Sequence, residues 1–264
     1  DRCLSRGLGD VYKRQNLMTV TGKSITQNLI KKIKVNPNVV KTFKNALADK
    51  AGFLVMRSNF FSTAIMKTSV ISKEFRDRYL SNPKHPNVFN GKAVVFEGPE
   101  DYHKRLNSKK LNIDENSVLI VRGCGPVGYP GSAEVINMQP PDRLLKKGIN
   151  TLPTLGDGRQ SGTSASPSIL HVSPESAVGG DLGIVKTGDK IKIDLNKRRV
   201  DLLISQAEFK NRRKKRKKFK INNQTPWQEI FRDTVGQLED GACIKSRGVY
   251  LNVSTSKGIP RDSH

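Results

Sequence analysis

The chain has 264 residues, 35% of them apolar, enough length for one large domain or two small ones and enough apolar content for a buried core. Its 47 Lys and Arg outnumber 24 Asp and Glu for a formal charge of +23; nine of the eleven residues at 210–220 are basic, yet 38 bases still face 24 acids without them. No clean apolar run exceeds the four residues of 118–121, which excludes a membrane helix of about 20 residues, and three cysteines far apart with no CxxC pair exclude a zinc knuckle or a dense disulfide framework and point to a reducing cytoplasm.

Residues 5–15, SRGLGDVYKRQ, resemble the translation of a transposase adapter used in preparing sequencing libraries, and residues 1–15 are set apart from the fold on that ground. A natural polar tail is the alternative. Either way the basic N-terminus is followed by no apolar stretch of signal-peptide length. Residues 21–34 place Ile25, Leu29, Ile30 and Ile33 at helical spacing behind polar capping residues, which predicts a short amphipathic helix. A polar connector with Pro37 leads to an apolar strand at 52–56, so the division expected is 16–50 for a remnant and connector and 51–264 for the main domain.

Residues 77–90, with Pro83, His85, Pro86 and Asn87, read as a loop, KAVVF at 92–96 as a strand and 99–107 as a helix. SVLIVR at 117–122 is a β-branched strand running straight into a loop of glycines and prolines. PDRLLKK before Gly148 has the start and stop chemistry of a helix, acidic early and basic late. KIKIDL at 190–195 alternates strictly and, with residues 200–204 after a tight turn, makes a hairpin. At 226–238, Trp227, Ile230, Phe231 and Val235 share one helical face, so this segment is expected to dock back on the domain.

Chemistry is concentrated in two glycine-rich loops. In the first, residues 122–141, Glu134 follows a cluster of glycines and prolines, a position open to either a solvated glutamate or an oxygen ligand for a hard cation such as Mg²⁺. In the second, GDGRQSGTSASP at 156–167, Ser161, Thr163, Ser164 and Ser166 surround glycines. Such a loop binds anions through backbone N–H groups and hydroxyls, although an ordinary serine-rich turn has the same composition. It is neither a Walker motif nor GxSxG. None of the four histidines makes a metal site by spacing; His171, in the apolar ILHV stretch, reads as a buried, hydrogen-bonded residue or a substrate contact.

The strings GKAVVFEGPEDYHKRL, RGCGPVGYPGSAE, LPTLGDGRQSGTS, SPSILHVSPESAVGG and TGDKIKIDLNKRRVDLL resemble, in order, the C-terminal half of the dihydroxy-acid and sugar-acid dehydratases, which include phosphogluconate dehydratase. The wording of GDGRQSGTS and NMQPP is closer to the aldonic-acid branch. The resemblance implies an α+β, mainly β domain, a β-barrel flanked by helices. It implies dehydration of a small sugar acid, such as arabinonate or xylonate, to a 2-keto-3-deoxy acid by a cytoplasmic homo-oligomer using an iron–sulfur cluster, a [2Fe–2S] centre, and Mg²⁺. Ser161 matches the family's serine base, Thr163 a neighbouring substrate-holding hydroxyl and Glu134 the Mg²⁺ ligand of this half. The cluster cysteines, the carbamylated lysine and the other Mg²⁺ ligands lie in an N-terminal domain with no counterpart here, and Cys124 and Cys243 do not match them. The helix at 21–34 resembles that domain's last piece, and the chain alone is expected to be inactive. The basic run is expected to be a solvated helix end; it holds a single aromatic, Phe219, so the alternative of a stand-alone nucleic-acid-binding module is disfavoured.

Overall fold

The structure is a computed structural model, and it describes residues 16–30, 36–47, 52–130, 138–159 and 167–245. The chain divides into two compact units, Asp1–Asp49 and Lys50–His264. In the first, helix α1 (Ile25–Leu29) is set by a capping box: Gln27 N donates to Ser24 Oγ at 3.2 Å and Ser24 N to Gln27 Oε1 at 2.8 Å. It buries none of its residues. The helix is shorter than the spacing predicts, and residues 31–35 lie outside those described.

The second unit is a closed barrel of eight strands: β1 (Phe53–Ser58), β2 (Thr63–Lys67), β3 (Val88–Glu97), β4 (Ser117–Arg122), β5 (Thr154–Gly156), β6 (Ser168–Ser173), β7 (Lys190–Asp194) and β8 (Arg199–Leu202). The order around the barrel is β1-β2-β6-β5-β4-β3-β7-β8. β3, β4, β5 and β6 run parallel to one another, β2 and β7 flank them antiparallel, and β8 closes the ring parallel to β1. This is the mainly β barrel flanked by helices that the resemblance implies. Closure leaves no free edge, which accounts for strands as short as β5 surviving in the ring.

β4 shows why the parallel strands read as unbroken apolar runs. Val118 and Ile120 point into the barrel core with Val95, Leu155, Ile169, Ile191 and Ile193, while Leu119 and Val121 pack on a second, outer cluster with Phe96, Tyr102, Leu144 and Leu152. Both faces are buried, so alternation disappears from the sequence. The outer layer comes from α3 (Pro99–Arg105) and α4 (Asp142–Leu145); α2 (Lys73–Phe75), which continues as a π-helix over Arg76–Leu80, gives Phe75 and Leu80 to the main core. The expected loop at 77–90 is therefore helical at its start and, from Val88, strand at its end.

The predicted hairpin forms as β7 and β8, with Ile193 opposite Val200. Strands β2, β5 and β6 were not expected. β6 hides its period because His171 sits at φ +58°, in the left-handed region, and the pairing with β2 slips from Thr63↔Ser173 to Ile65↔Leu170 around it. No helix among the described residues is long and apolar enough to cross a membrane.

α5 (Gln206–Lys214) and α6 (Pro226–Thr234) complete the unit. The C-terminal segment does return to the domain, but not by the face expected. Val235 is buried and Phe231 half-buried, whereas Trp227 and Ile230 are exposed. Polar groups hold it instead: Arg232 Nε donates to Val127 O at 2.8 Å, and the Gln237 side-chain amide accepts from Glu175 N at 2.8 Å and donates to the Glu175 carboxylate at 2.9 Å.

Candidate active site

Parallel pairing puts the carboxyl ends of β3, β4, β5 and β6 at one end of the barrel, where sites form in parallel sheets because several loops open there side by side. Val121 of β4 pairs with Gly156 of β5, so the two glycine-rich loops leave adjacent strand ends at the same level. Ser161, Thr163 and Glu134 all lie outside the described residues, and what the structure shows is how the loops that carry them are anchored.

Asp157, the first residue after β5, is completely buried and collects four donors: Cys124 N at 2.9 Å, Gly123 N at 3.1 Å, Ser176 N at 2.9 Å and Ser176 Oγ at 2.6 Å. The Ser176 hydroxyl in turn accepts from Gly123 N at 2.8 Å. One carboxylate thus ties the roots of both glycine-rich loops to the segment after β6. A buried charge is tolerable only with such a full set of hydrogen bonds.

Glu175, also completely buried, serves the next turn of the first loop, accepting from Val127 N at 3.0 Å, Gly128 N at 2.8 Å and Gln237 Nε2 at 2.9 Å. Burial raises its carboxyl above the usual glutamate range, and the two backbone donors pull the other way. A Cβ at Gly125 would collide with the Glu175 carboxylate, so glycine is required there by close approach. The returning limb of the loop is pinned at Gln139, whose N–H donates to Tyr102 Oη at 2.8 Å while that hydroxyl donates to Gln139 O at 3.1 Å. Arg122, at the mouth of β4, donates to Glu97 Oε2 at 2.9 Å and to the carbonyls of Gly183 and Val185.

A cavity of about 130 Å³ opens between the two loop roots and the C-terminal segment, lined by Cys124, Gly125, Asp157, Arg159, Phe231 and Leu238. Cys124 is 2% exposed, and burial, followed by the nearby Asp157, Glu100 and Glu175 charges, drives its thiol far above the ordinary cysteine range. It packs in the outer apolar cluster, and among the described residues no second cysteine lines the cavity beside it, whereas a cluster needs several thiolates together. Among the described residues no group of three or more His, Cys, Asp and Glu could hold a metal ion. The described residues therefore do not fit an iron–sulfur cluster. Glu134 offers the oxygen chemistry that Mg²⁺ prefers, from outside the described residues.

His171 differs from the buried, hydrogen-bonded residue expected. Its backbone N–H donates to Gly158 O at 2.8 Å, but its Nε2 is buried with no hydrogen-bond partner among the described residues. Burial, then the Arg159 charge, lowers its pKa below the ordinary imidazole value of about 6.5. The native state thus binds this proton less readily than the unfolded chain, so His171 costs no stability above about pH 6.5 and costs progressively more as the pH falls from there toward its lowered value. In a proton NMR titration its ring signal is expected to move below the ordinary imidazole value of about 6.5; a midpoint at or above that value would contradict the burial.

Asp157 and Glu175 are the anchoring residues that sequence reasoning missed. Glu175 was detectable as a lone charge in the small and apolar string ILHVSPESAVGG, where only a buried acceptor suits its neighbours. Asp157 carries no such signal, since an aspartate between glycines reads as a turn.

A family model for the C-terminal part of the dihydroxy-acid/6-phosphogluconate dehydratases matches residues 38–242. The chain belongs to this dehydratase family. It is 50% identical over 249 residues to a protein named D-xylonate dehydratase from Caulobacter vibrioides, which covers 94% of this chain and 42% of that relative. To the L-arabinonate dehydratase of Rhizobium leguminosarum bv. trifolii it is 39% identical over 199 residues, 75% of this chain and 32% of the relative. To a dihydroxy-acid dehydratase of Clostridium beijerinckii it is 34% identical over 203 residues, 76% and 34% respectively. The chain thus spans less than half the length of the curated relatives it matches.

Proposed function

We propose that this chain is the C-terminal part of a hydro-lyase that dehydrates a sugar acid, an aldonate such as xylonate or arabinonate, to the 2-keto-3-deoxy acid. The observation that carries the proposal is the departure of both glycine-rich loops from the paired ends of β4 and β5, held there by Asp157, in a chain half identical to a relative named for xylonate. In this reading Ser161 is the base, Thr163 holds a substrate hydroxyl and Glu134 is a Mg²⁺ ligand.

The chemistry asks for a group that removes the C2 proton while the 3-hydroxyl departs as water, leaving an enol that becomes the ketone. A serine hydroxyl is too weak an acid to serve as a base at neutral pH without concentrated positive charge beside it. Mg²⁺ held by Glu134 would supply that charge and acidify the C2 proton. Ser161 Oγ, ionised beside that charge, would take the C2 proton, which overall leaves with the 3-hydroxyl as water and returns the serine to its ionised form; Thr163 would hold a substrate hydroxyl while the loop keeps C2–H aligned with Ser161. The rigid loop roots matter because such alignment is lost with shifts of about 1 Å.

Because the remaining ligands that the resemblance implies are outside this chain, the 264-residue chain supplied with Mg²⁺ and xylonate or arabinonate is expected to form no keto acid. The full-length protein, assayed alike, is expected to form it. Keto-acid formation by the isolated chain would refute the division of ligands, and none from the full-length protein with any aldonate would refute the activity.

A further inference from the structure

The dehydratase reading leaves the basic run unexplained, and it is not merely a solvated helix end. Its first part is built into the fold. Arg212 is almost buried and bridges Asp189, at 2.5 Å, and Glu208, at 2.6 Å, while Arg213 and Arg216 both pair with Asp181. With those carboxylates engaged, Lys215, Lys217, Lys218 and Lys220 have no carboxylate partner among the described residues.

The four lysines are not strung along a rod. α5 ends at Lys214, and the chain beyond it places the Phe219 ring over Gly123, where a Cβ would stand 2.7 Å from Phe219 Cε2 and where φ is +75°. All four then line one concavity of about 510 Å³, with Arg122 and Arg216 at its wall. That volume is within the range of small-molecule sites, about 300–1,000 Å³. Like charges gathered around one hollow repel one another and concentrate a positive field, and a multivalent anion relieves both. Phe219, Ile184 and Val185 add an apolar side to the same space.

We propose that this concavity binds an oligophosphate anion of nucleoside triphosphate size, with Lys215, Lys217, Lys218 and Lys220 meeting the phosphates. A single carboxylate would leave most of the four ammonium charges uncompensated, whereas a triphosphate matches them in number. A nucleic-acid duplex fits less well, because its phosphates need cations spread along a track, not collected around a hollow. The site is independent of the dehydration chemistry proposed above.

The test is calorimetric titration of the 264-residue chain with inorganic tripolyphosphate and, separately, with ATP, beside a variant carrying Lys215→Ser, Lys217→Ser, Lys218→Ser and Lys220→Ser. The four lysines are exposed, so the variant is expected to keep the parent's circular dichroism and thermal midpoint. Saturable one-to-one binding is expected, weakened at least tenfold in the variant and, in the parent, by raising salt from about 50 to about 200 mM. Tighter binding of ATP than of tripolyphosphate would assign the Phe219 side to a base, and equal binding would assign the site to phosphates alone. The proposal fails if neither anion binds saturably, if the variant binds equally well, or if a short DNA duplex binds more tightly than both through the same lysines.

Discussion

Replacing Asp157 with alanine is expected to destabilise the barrel unit by about 3–5 kcal/mol, the cost of leaving several buried neutral donors without their acceptor. Four donors, Gly123 N, Cys124 N, Ser176 N and Ser176 Oγ, lose this acceptor at a completely buried position, and of them Gly123 N keeps a second acceptor in Ser176 Oγ. Each buried donor left unpaired costs about 1–3 kcal/mol, though the losses share one relaxation and do not sum. Against a total stability of about 5–15 kcal/mol for a domain, such a loss is a large fraction. Urea unfolding of the 264-residue chain measures it. Asp157→Asn is the informative control: it keeps one acceptor oxygen but turns an NH₂ toward donors, so its loss should be smaller than alanine's yet still above about 1 kcal/mol, the worth of one ordinary hydrogen bond. A loss below that in the alanine variant would mean that the loop roots are held by something other than this carboxylate.

That network also marks the limit of what the sequence discloses. β4 and the β7–β8 hairpin are legible because a β-branched run and a strict alternation are local signals. β5 is three residues long and is a strand only because β4 and β6 flank it on either side, a long-range fact. β6 conceals itself through the left-handed His171, which breaks the period where a strand would be recognised. The glycine-rich loops announce themselves by composition, but their being neighbours follows from the parallel pairing of β4 with β5, and no local pattern encodes that. The same holds for charge. Residues 210–220 read as one uniform run, while in the fold three of its arginines are spoken for by Asp181, Asp189 and Glu208, and only lysines are left for a ligand.

The second large effect expected is on turnover. In the full-length protein, Ser161→Ala is expected to lower kcat on xylonate or arabinonate by about 10³-fold or more, since a positioned general base contributes about 10²–10⁴-fold. KM should change little, because the Ser161 hydroxyl acts in the transition state rather than in binding. Thr163→Ala should do the reverse, raising KM with a smaller effect on kcat, as removal of an interaction made equally in ground and transition states does. Exchange of the C2 proton with deuterated solvent separates the roles further: it should vanish in Ser161→Ala and persist in Thr163→Ala at saturating substrate. Both variants should match the parent in urea unfolding, which would rule out a collapsed loop root as the cause. Near-parental kcat in Ser161→Ala would remove Ser161 as the base and leave the loop as a binding element only. Loss of kcat together with loss of C2 exchange and an unchanged KM, in a stably folded protein, would leave proton abstraction at C2 as the step that Ser161 performs.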